Sequence, residues 1–380
     1  MQTLLKNQFL DSLLGIFLTF LVLSTVLLAQ SNCKGGENPA KAEPYYYQQW
    51  YLNKNENFYQ VNGIQNDANI HMGEVWRQYS GKGVKIAIID DGLDMLHEDI
   101  KNTLVSSYNI LTDSTDVSHS EIDGHHGTAV TGIVAANING KGIAGIAPDV
   151  EIIFLKYNTN MSDSDTIKLF HKAEEFGADI INCSWGTYDV SPSVKETIQT
   201  LANEGRNGKG IVIIFAAGND DRDMGNDESA IPEVLAVGSS DIDNDRVWYS
   251  NYGEELDFLA PGGYDIGITT LDATGEKGVA IENRSYLLYN DSQSFVGTSA
   301  SAPIVAGIVA LLLDADNNLT REDIEYILRY NSDEIGDLEY ENGRNDYYGY
   351  GKINLSKAMD MVSKETCKNS IVPSLFLILN

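Results

Sequence analysis

Val84-Lys85-Ile86-Ala87-Ile88-Ile89-Asp90-Asp91-Gly92 is a short, largely β-branched apolar run that stops on two acids and a glycine. An uninterrupted run of this kind, with no polar alternation, fits a strand buried on both faces, the habit of parallel sheets covered by helices. Comparable runs occupy 151–157, 179–183, 210–215 and 233–237, and stretches with helical patterning lie at 128–136, 163–176, 193–206, 299–314 and 321–330. Alternating strands and helices predict an α/β fold with a mostly parallel central sheet and helices on both faces. In such sheets reacting groups gather beyond the carboxyl ends of the strands. Asp90, Ser184-Trp185-Gly186 and Gly218-Asn219 each follow a strand-like run directly, so chemistry is sought there first.

Composition narrows the function classes. The 380 residues carry 26 Lys and Arg against 55 Asp and Glu, a formal charge of −29. Such a surface repels phosphate backbones, which excludes a nucleic-acid partner bound through a basic footprint and favours cations and cationic substrates. At 43% hydrophobic residues the chain fills a real core, so disorder and fibre are excluded. Three cysteines with no CxxC pair make neither a disulfide scaffold nor a zinc cluster.

The chain divides into four parts. Leu13 to Ala29 is mostly apolar and ends in small residues, which predicts a signal peptide over 1–31 and an exported protein; a retained membrane anchor is the alternative its length leaves open. Cys33 invites a lipoprotein reading, but Gln30 and Asn32 suit such a signal poorly. A polar spacer follows over 32–45, then one domain over 46–363, without repeats or Pro/Ser-rich linkers. The tail, 364–380, ends in the apolar stretch Ile371 to Leu379, too short to span a bilayer.

Besides Asp90, three stretches set reactive side chains among glycines that let backbones approach closely. Asp123-Gly124-His125-His126-Gly127-Thr128 delivers a histidine at a helix start, and Gly297-Thr298-Ser299-Ala300-Ser301-Ala302-Pro303 sets a serine at the head of a long apolar helix. Helix N-termini present unpaired N–H groups that can hold an oxyanion. Phe215-Ala216-Ala217-Gly218-Asn219 ends a buried strand in an amide able to donate to developing negative charge. An acid, an imidazole and a hydroxyl at separate strand ends are the parts of an activated serine nucleophile. Rival readings fail on spacing. Adjacent His125 and His126 point about 100° apart on a helix and rarely share a metal, no HExxH occurs, and Ser301 breaks the Gly-x-Ser-x-Gly elbow of esterases.

From Gln48 to Met361 these motifs, in this order, resemble the subtilisin-like serine proteases, the subtilases. The resemblance implies the three-layer subtilisin-like fold and an endopeptidase acting on polypeptides. In it Ser299 is the nucleophile, His126 the general base, Asp90 the orienting acid and Asn219 an oxyanion donor. Asp91 takes a structural role, because only Asp90 and His126 sit in the family's motif positions. Ser184, Trp185 and Gly186 would pair with an extended peptide, with Ala217 and Gly218 lining the pocket before the cut. A structural calcium would be held by Asp99, Asn139 and the carbonyls of Asn137, Lys141 and Ile143; no organic cofactor is expected. Trp185, Asp189 and Trp248-Tyr249-Ser250 lean toward the kexin-like branch. With Asp220, Asp221, Asp223, Asp227 and Glu228 near the pocket, they suggest a preference for basic residues before the cut. A catalytically silent binding module on the same fold is the alternative, set against the presence of all four catalytic positions.

Overall fold

A computed structural model describes residues 38–119, 124–157, 161–280 and 284–363. The expected signal segment 1–31 and the tail 364–380 lie outside them. The opening run is β1 (Lys85–Asp90), followed by β2 (Leu104–Asn109), β3 (Glu151–Lys156), β4 (Ile180–Cys183), β5 (Val212–Ala216), β6 (Leu235–Ser240) and β7 (Leu256–Pro261). They form one sheet in the order β2-β3-β1-β4-β5-β6-β7, parallel at every pairing. On one side of β1 lie β3 and then β2, on the other β4 to β7 in chain order, so the chain crosses from one side to the other between β3 and β4 and the ends of β1 and β4 sit where the topology reverses, the place where α/β sheets put their sites.

The sheet's two faces explain the apolar runs. Ile86, Ile88, Ile180, Val212, Ile214 and Val237 face α2 (His126–Ala135) and α5 (Thr298–Ala315). Ala87, Ile89, Ile181, Cys183, Ile213 and Phe215 face α3 (Asp163–Glu175) and α4 (Pro192–Gly208). Each layer is fully buried, so neither residue parity needs to be polar. Helix α5 is apolar on all sides because it lies inside the protein, against strands and α2.

Two strands of this sheet lack a continuous apolar run, for physical reasons. β2 is an edge strand with Ser106 and Ser107, and β7 is broken by Asp257. Asp257 is nevertheless buried, accepting from Ala236 N–H (2.8 Å) and from Nε (2.9 Å) and Nη2 (2.6 Å) of Arg329 on α6 (Arg321–Asn331). The helix expected over 193–206 ends irregularly: Arg206 and Asn207 take positive φ (52° and 58°). The spacer expected over 32–45 also differs in its described part. Residues 38–45 pack on the domain, with Ala40 and Glu43 buried and Tyr45 N–H bonded to the Gly142 carbonyl (2.8 Å). Helix α1 (Glu56–Asn62) and the hairpin β8 (Thr270–Leu271) with β9 (Tyr286–Leu287) complete the elements used below.

Candidate active site

Asp90 ends β1 fully buried, where its Oδ1 accepts from His126 Nδ1–H (2.8 Å) and from Asp91 N–H (2.8 Å). A carboxylate fixed this way selects the tautomer that leaves His126 Nε2 free to take a proton. Oδ2 of Asp90 is buried without a partner among the described residues. Asp91 turns to the first turn of α2 and accepts from Gly127 N–H (2.9 Å). A Cβ at Gly127 would stand 2.3 Å from the Gly92 carbonyl, so glycine after His126 is what lets α2 approach β1. Burial works against the charged form of His126, but the carboxylates of Asp90 and Asp91 outweigh it and push its pKa up to about 9. The imidazole stays 32% exposed, flanked by the Phe295 ring at 5.4 Å.

His119, which the sequence reading did not single out, braces this corner. It is buried beneath Gly92, with Nε2 2.6 Å from Thr128 Oγ1 and Nδ1 3.8 Å from Asp91 Oδ1. Burial, only partly opposed by Asp91, pushes its pKa down to about 4.

Ser299 lies in the first turn of α5, after Gly297 at φ 115°. Its Oγ donates to the Ser184 carbonyl (3.1 Å), and its own carbonyl accepts from Ser184 Oγ (3.0 Å). The second bond follows from Pro303, four residues on: proline has no N–H to give Ser299, and Ser184 supplies the missing donor. Asn219 is aimed by its own acceptor. Oδ1 takes Thr298 N–H (2.9 Å) and Thr298 Oγ1–H (3.0 Å), leaving Nδ2 as the donor beside the nucleophile's turn. Gly218 (φ 100°) allows this close fit, since a Cβ there would meet Asn251 Nδ2 at 2.3 Å. Asn251 also supports this corner; its Oδ1 accepts from Asp220 and Arg222 N–H and holds the loop after Asn219. No single-sequence signal marks it.

Beyond the ends of β4 and β5, Gly186 is exposed and Ala217 buried. Trp185 is tied inward, its Nε1–H bonded to the Ile89 carbonyl (2.9 Å) between the rings of Tyr157 and Phe215. The acid cluster separates into two groups. Asp227 and Glu228 are buried and already accept from Tyr188 N–H (2.8 Å) and Thr187 N–H (2.9 Å), so they shape the 186–189 loop from below. Asp189 is exposed and accepts from Asn226 Nδ2 (2.7 Å), Asp221 pairs with Arg246 (2.7 Å), and Asp220 lies 3.9 Å from Arg222. Asp223 caps the N–H of Gly225 (2.8 Å).

The residues expected to hold calcium come together at another corner. Asp99 is fully buried, 3.0 Å from Asn139 Nδ2, with its backbone carbonyl on Asn137 N–H (2.6 Å) and Ile143 N–H 3.5 Å from Oδ2. Lys141 sends its ammonium outward to Glu98 (2.7 Å). Glu43 completes the group from the packed N-terminal arm: Oε1 accepts from Gly140 N–H (2.7 Å), while Oε2 is buried with no hydrogen-bond partner among the described residues. Burial raises the Glu43 pKa and the neighbouring Asp99 charge adds to the rise. Two neighbouring carboxylates, one with an orphaned oxygen, suit a hard cation in charge, but the loop here turns the N–H groups of Gly140 and Ile143 and the amide of Asn139 toward them. Among the described residues no three His, Cys, Asp or Glu side chains converge on a metal position, so two carboxylates and neutral oxygens would make the shell.

The subtilase family model, Peptidase S8, matches residues 81–351. The calcium-dependent protease of Nostoc sp. is 31% identical over 345 residues, covering 83% of this chain and 51% of that protein. The chain therefore spans about half the length of that relative. A dibasic-processing endoprotease of Yarrowia lipolytica is 29% identical over 84% of the chain and 34% of its own length. Among solved structures, the Aeromonas sobria serine protease in complex with its chaperone superposes with a TM-score of 0.74 at 22% identity, over 85% of this chain and 67% of that one. That likeness concerns the fold.

Proposed function

The chain belongs to the subtilase family, and from that premise we propose that it is a serine endopeptidase working through Asp90, His126 and Ser299. The observation that carries the proposal is the 2.8 Å bond from His126 to buried Asp90, with Ser299 and Asn219 held together at the head of α5. Ser299 Oγ leaves its bond to the Ser184 carbonyl, passes its proton to His126 Nε2 and attacks the scissile carbonyl carbon. The negative charge that develops on the carbonyl oxygen is met by Asn219 Nδ2–H and the Ser299 N–H. The imidazolium, stabilised by Asp90, then returns its proton to the leaving amine; water repeats the sequence to free the acyl group.

The substrate main chain pairs with 184–186, and its side chain before the cut enters between that strip and Ala217-Gly218. A preference for basic residues there would rest on Asp189 and Asp220, since Asp227 and Glu228 are occupied by backbone donors. Calcium would be held by Asp99, Glu43 and Asn139, with carbonyls of Asn137, Lys141 and Ile143, fixing the N-terminal arm to the 137–143 loop. Export follows from the apolar segment Leu13 to Ala29 and its small-residue end.

Casein turnover by the wild type, His126→Ala and Ser299→Ala tests this reading. The wild type should degrade casein and both variants should lose all but a residue of the rate; equal turnover in the three proteins overturns it.

A further inference from the structure

Helix α6 buries Ile324, Ile327 and Leu328 and turns two tyrosines the other way: Tyr326 is 57% exposed and Tyr330, one turn on, 71%. Their rings stack at 5.8 Å and 24°, so they make one aromatic surface rather than two scattered side chains. The surface borders a groove of about 670 Å³ that also takes in Glu322, Glu334 and Tyr350. Arg329 crosses this groove over the Tyr350 ring (4.9 Å) on its way to Asp257, with its side chain still 31% exposed. The ion pair that fits Asp257 into β7 is therefore open to water on this side.

The described chain ends at the same place. Residues 355–363 are helical, and Met361 Sδ lies 3.2 Å from Nδ2 of Asn331, the last residue of α6. Residues 364–370 then carry Lys364 and Lys368, and Ile371-Val372-Pro373-Ser374-Leu375-Phe376-Leu377-Ile378-Leu379 holds no charge. Seven linking residues reach up to about 23 Å when extended. The eleven residues of α6 span only about 16 Å, so the apolar stretch can be laid anywhere along the helix.

We propose that the stretch Ile371 to Leu379 docks on the Tyr326–Tyr330 face of α6 and covers the water-facing side of the Arg329–Asp257 pair. The two surfaces match in chemistry. Tyrosine rings take apolar side chains on their faces while their hydroxyls stay wet, and an uncharged apolar stretch left in water is an association hazard that a local partner removes. Charge agrees with the direction of approach. In a chain of formal charge −29 the residues leading to the stretch bring two lysines, and Glu322 and Glu334 stand exposed beside the groove. Opposite charges at the rim of a contact set its register more than its strength.

The full chain with the photo-reactive p-benzoylphenylalanine in place of Phe376 reads the contact. Irradiation should join residue 376 to the peptide containing Tyr326 and Tyr330 within one chain. That cross-link should be lost when Tyr326→Ser and Tyr330→Ser are combined, and persist in Tyr264→Ser, which removes an exposed tyrosine outside the groove. Amide hydrogen exchange checks the same contact without the photo-reactive group: Leu375→Ser with Phe376→Ser should speed exchange over 321–331 and leave 85–90 unchanged. Four results overturn the inference: a cross-link to another part of the chain; one that joins isotope-labelled to unlabelled chains, which makes the occupant a second copy; one that forms only to phosphatidylglycerol vesicles; or exchange over 321–331 that the tail substitutions do not move.

Discussion

At the scale of single residues, the His126 environment sets the pH at which the site can work. The base must be neutral to accept a proton, and Asp90 with Asp91 holds the charged form up to a pKa of about 9. Turnover measured as kcat/KM should therefore be small at neutral pH and climb as pH rises through about 9. Asp91→Asn removes one of the two charges that retain the proton, so the midpoint should move to lower pH; an unmoved midpoint contradicts the role given to Asp91. The same shift stabilises the fold below the ordinary histidine range, a contribution lost as pH rises through about 9. Asn219→Ala keeps the triad and removes one oxyanion donor, so kcat should drop by about 10²–10³ with KM little changed. Asp90, His126, Asn219 and Ser299 were legible in the sequence because each sits in a glycine-marked motif at a strand or helix end. His119 and Phe295 were not, since they carry no glycine-marked motif of their own although they lie close in sequence to His126 and Ser299, and the part played by Asn251 depends on a loop that only tertiary packing brings near.

Among elements, the junction of β4, β5 and α5 shows how the backbone dictates the site. Pro303 in α5 leaves the Ser299 carbonyl without its helical donor, and Ser184, just past β4, fills the gap. Ser184→Ala should leave that part-buried acceptor without its donor at a cost of about 1 kcal/mol, read as a lowered denaturation midpoint together with reduced turnover. Gly218 holds φ 100° against Asn251, so Gly218→Ala should misplace Asn219 and reduce kcat more than stability. Strands buried on both faces were readable because their runs are continuous. β2 and β7 were hidden by edge polarity and by Asp257, whose acceptability depends on Arg329 from a helix distant in sequence. The arm 38–45 looked like a spacer because its polar residues pack only once Glu43 meets the 137–143 loop.

For the molecule as a whole, the charge of −29 separates into parts with different work. Glu43 and Asp99 face one another in the interior, and a bound calcium would relieve their repulsion and tie the arm down. Chelation should lower the melting temperature by several degrees, since a ligand at a hundredfold excess over its Kd stabilises by about 2.7 kcal/mol. Glu43→Gln should shrink that difference, while equal melting with and without chelator contradicts the site. Arg329→Ala, by stranding the buried carboxylate of Asp257, should cost about 3 kcal/mol in denaturant titration. All of this serves one claim, that Asp90, His126 and Ser299 act together on an acyl group. Mass spectrometry of the protein after treatment with a fluorophosphonate tests it most directly. A single adduct on the peptide containing Ser299, abolished in His126→Ala, is expected; an adduct elsewhere, or none on the folded wild type, would contradict the joint action of the three residues.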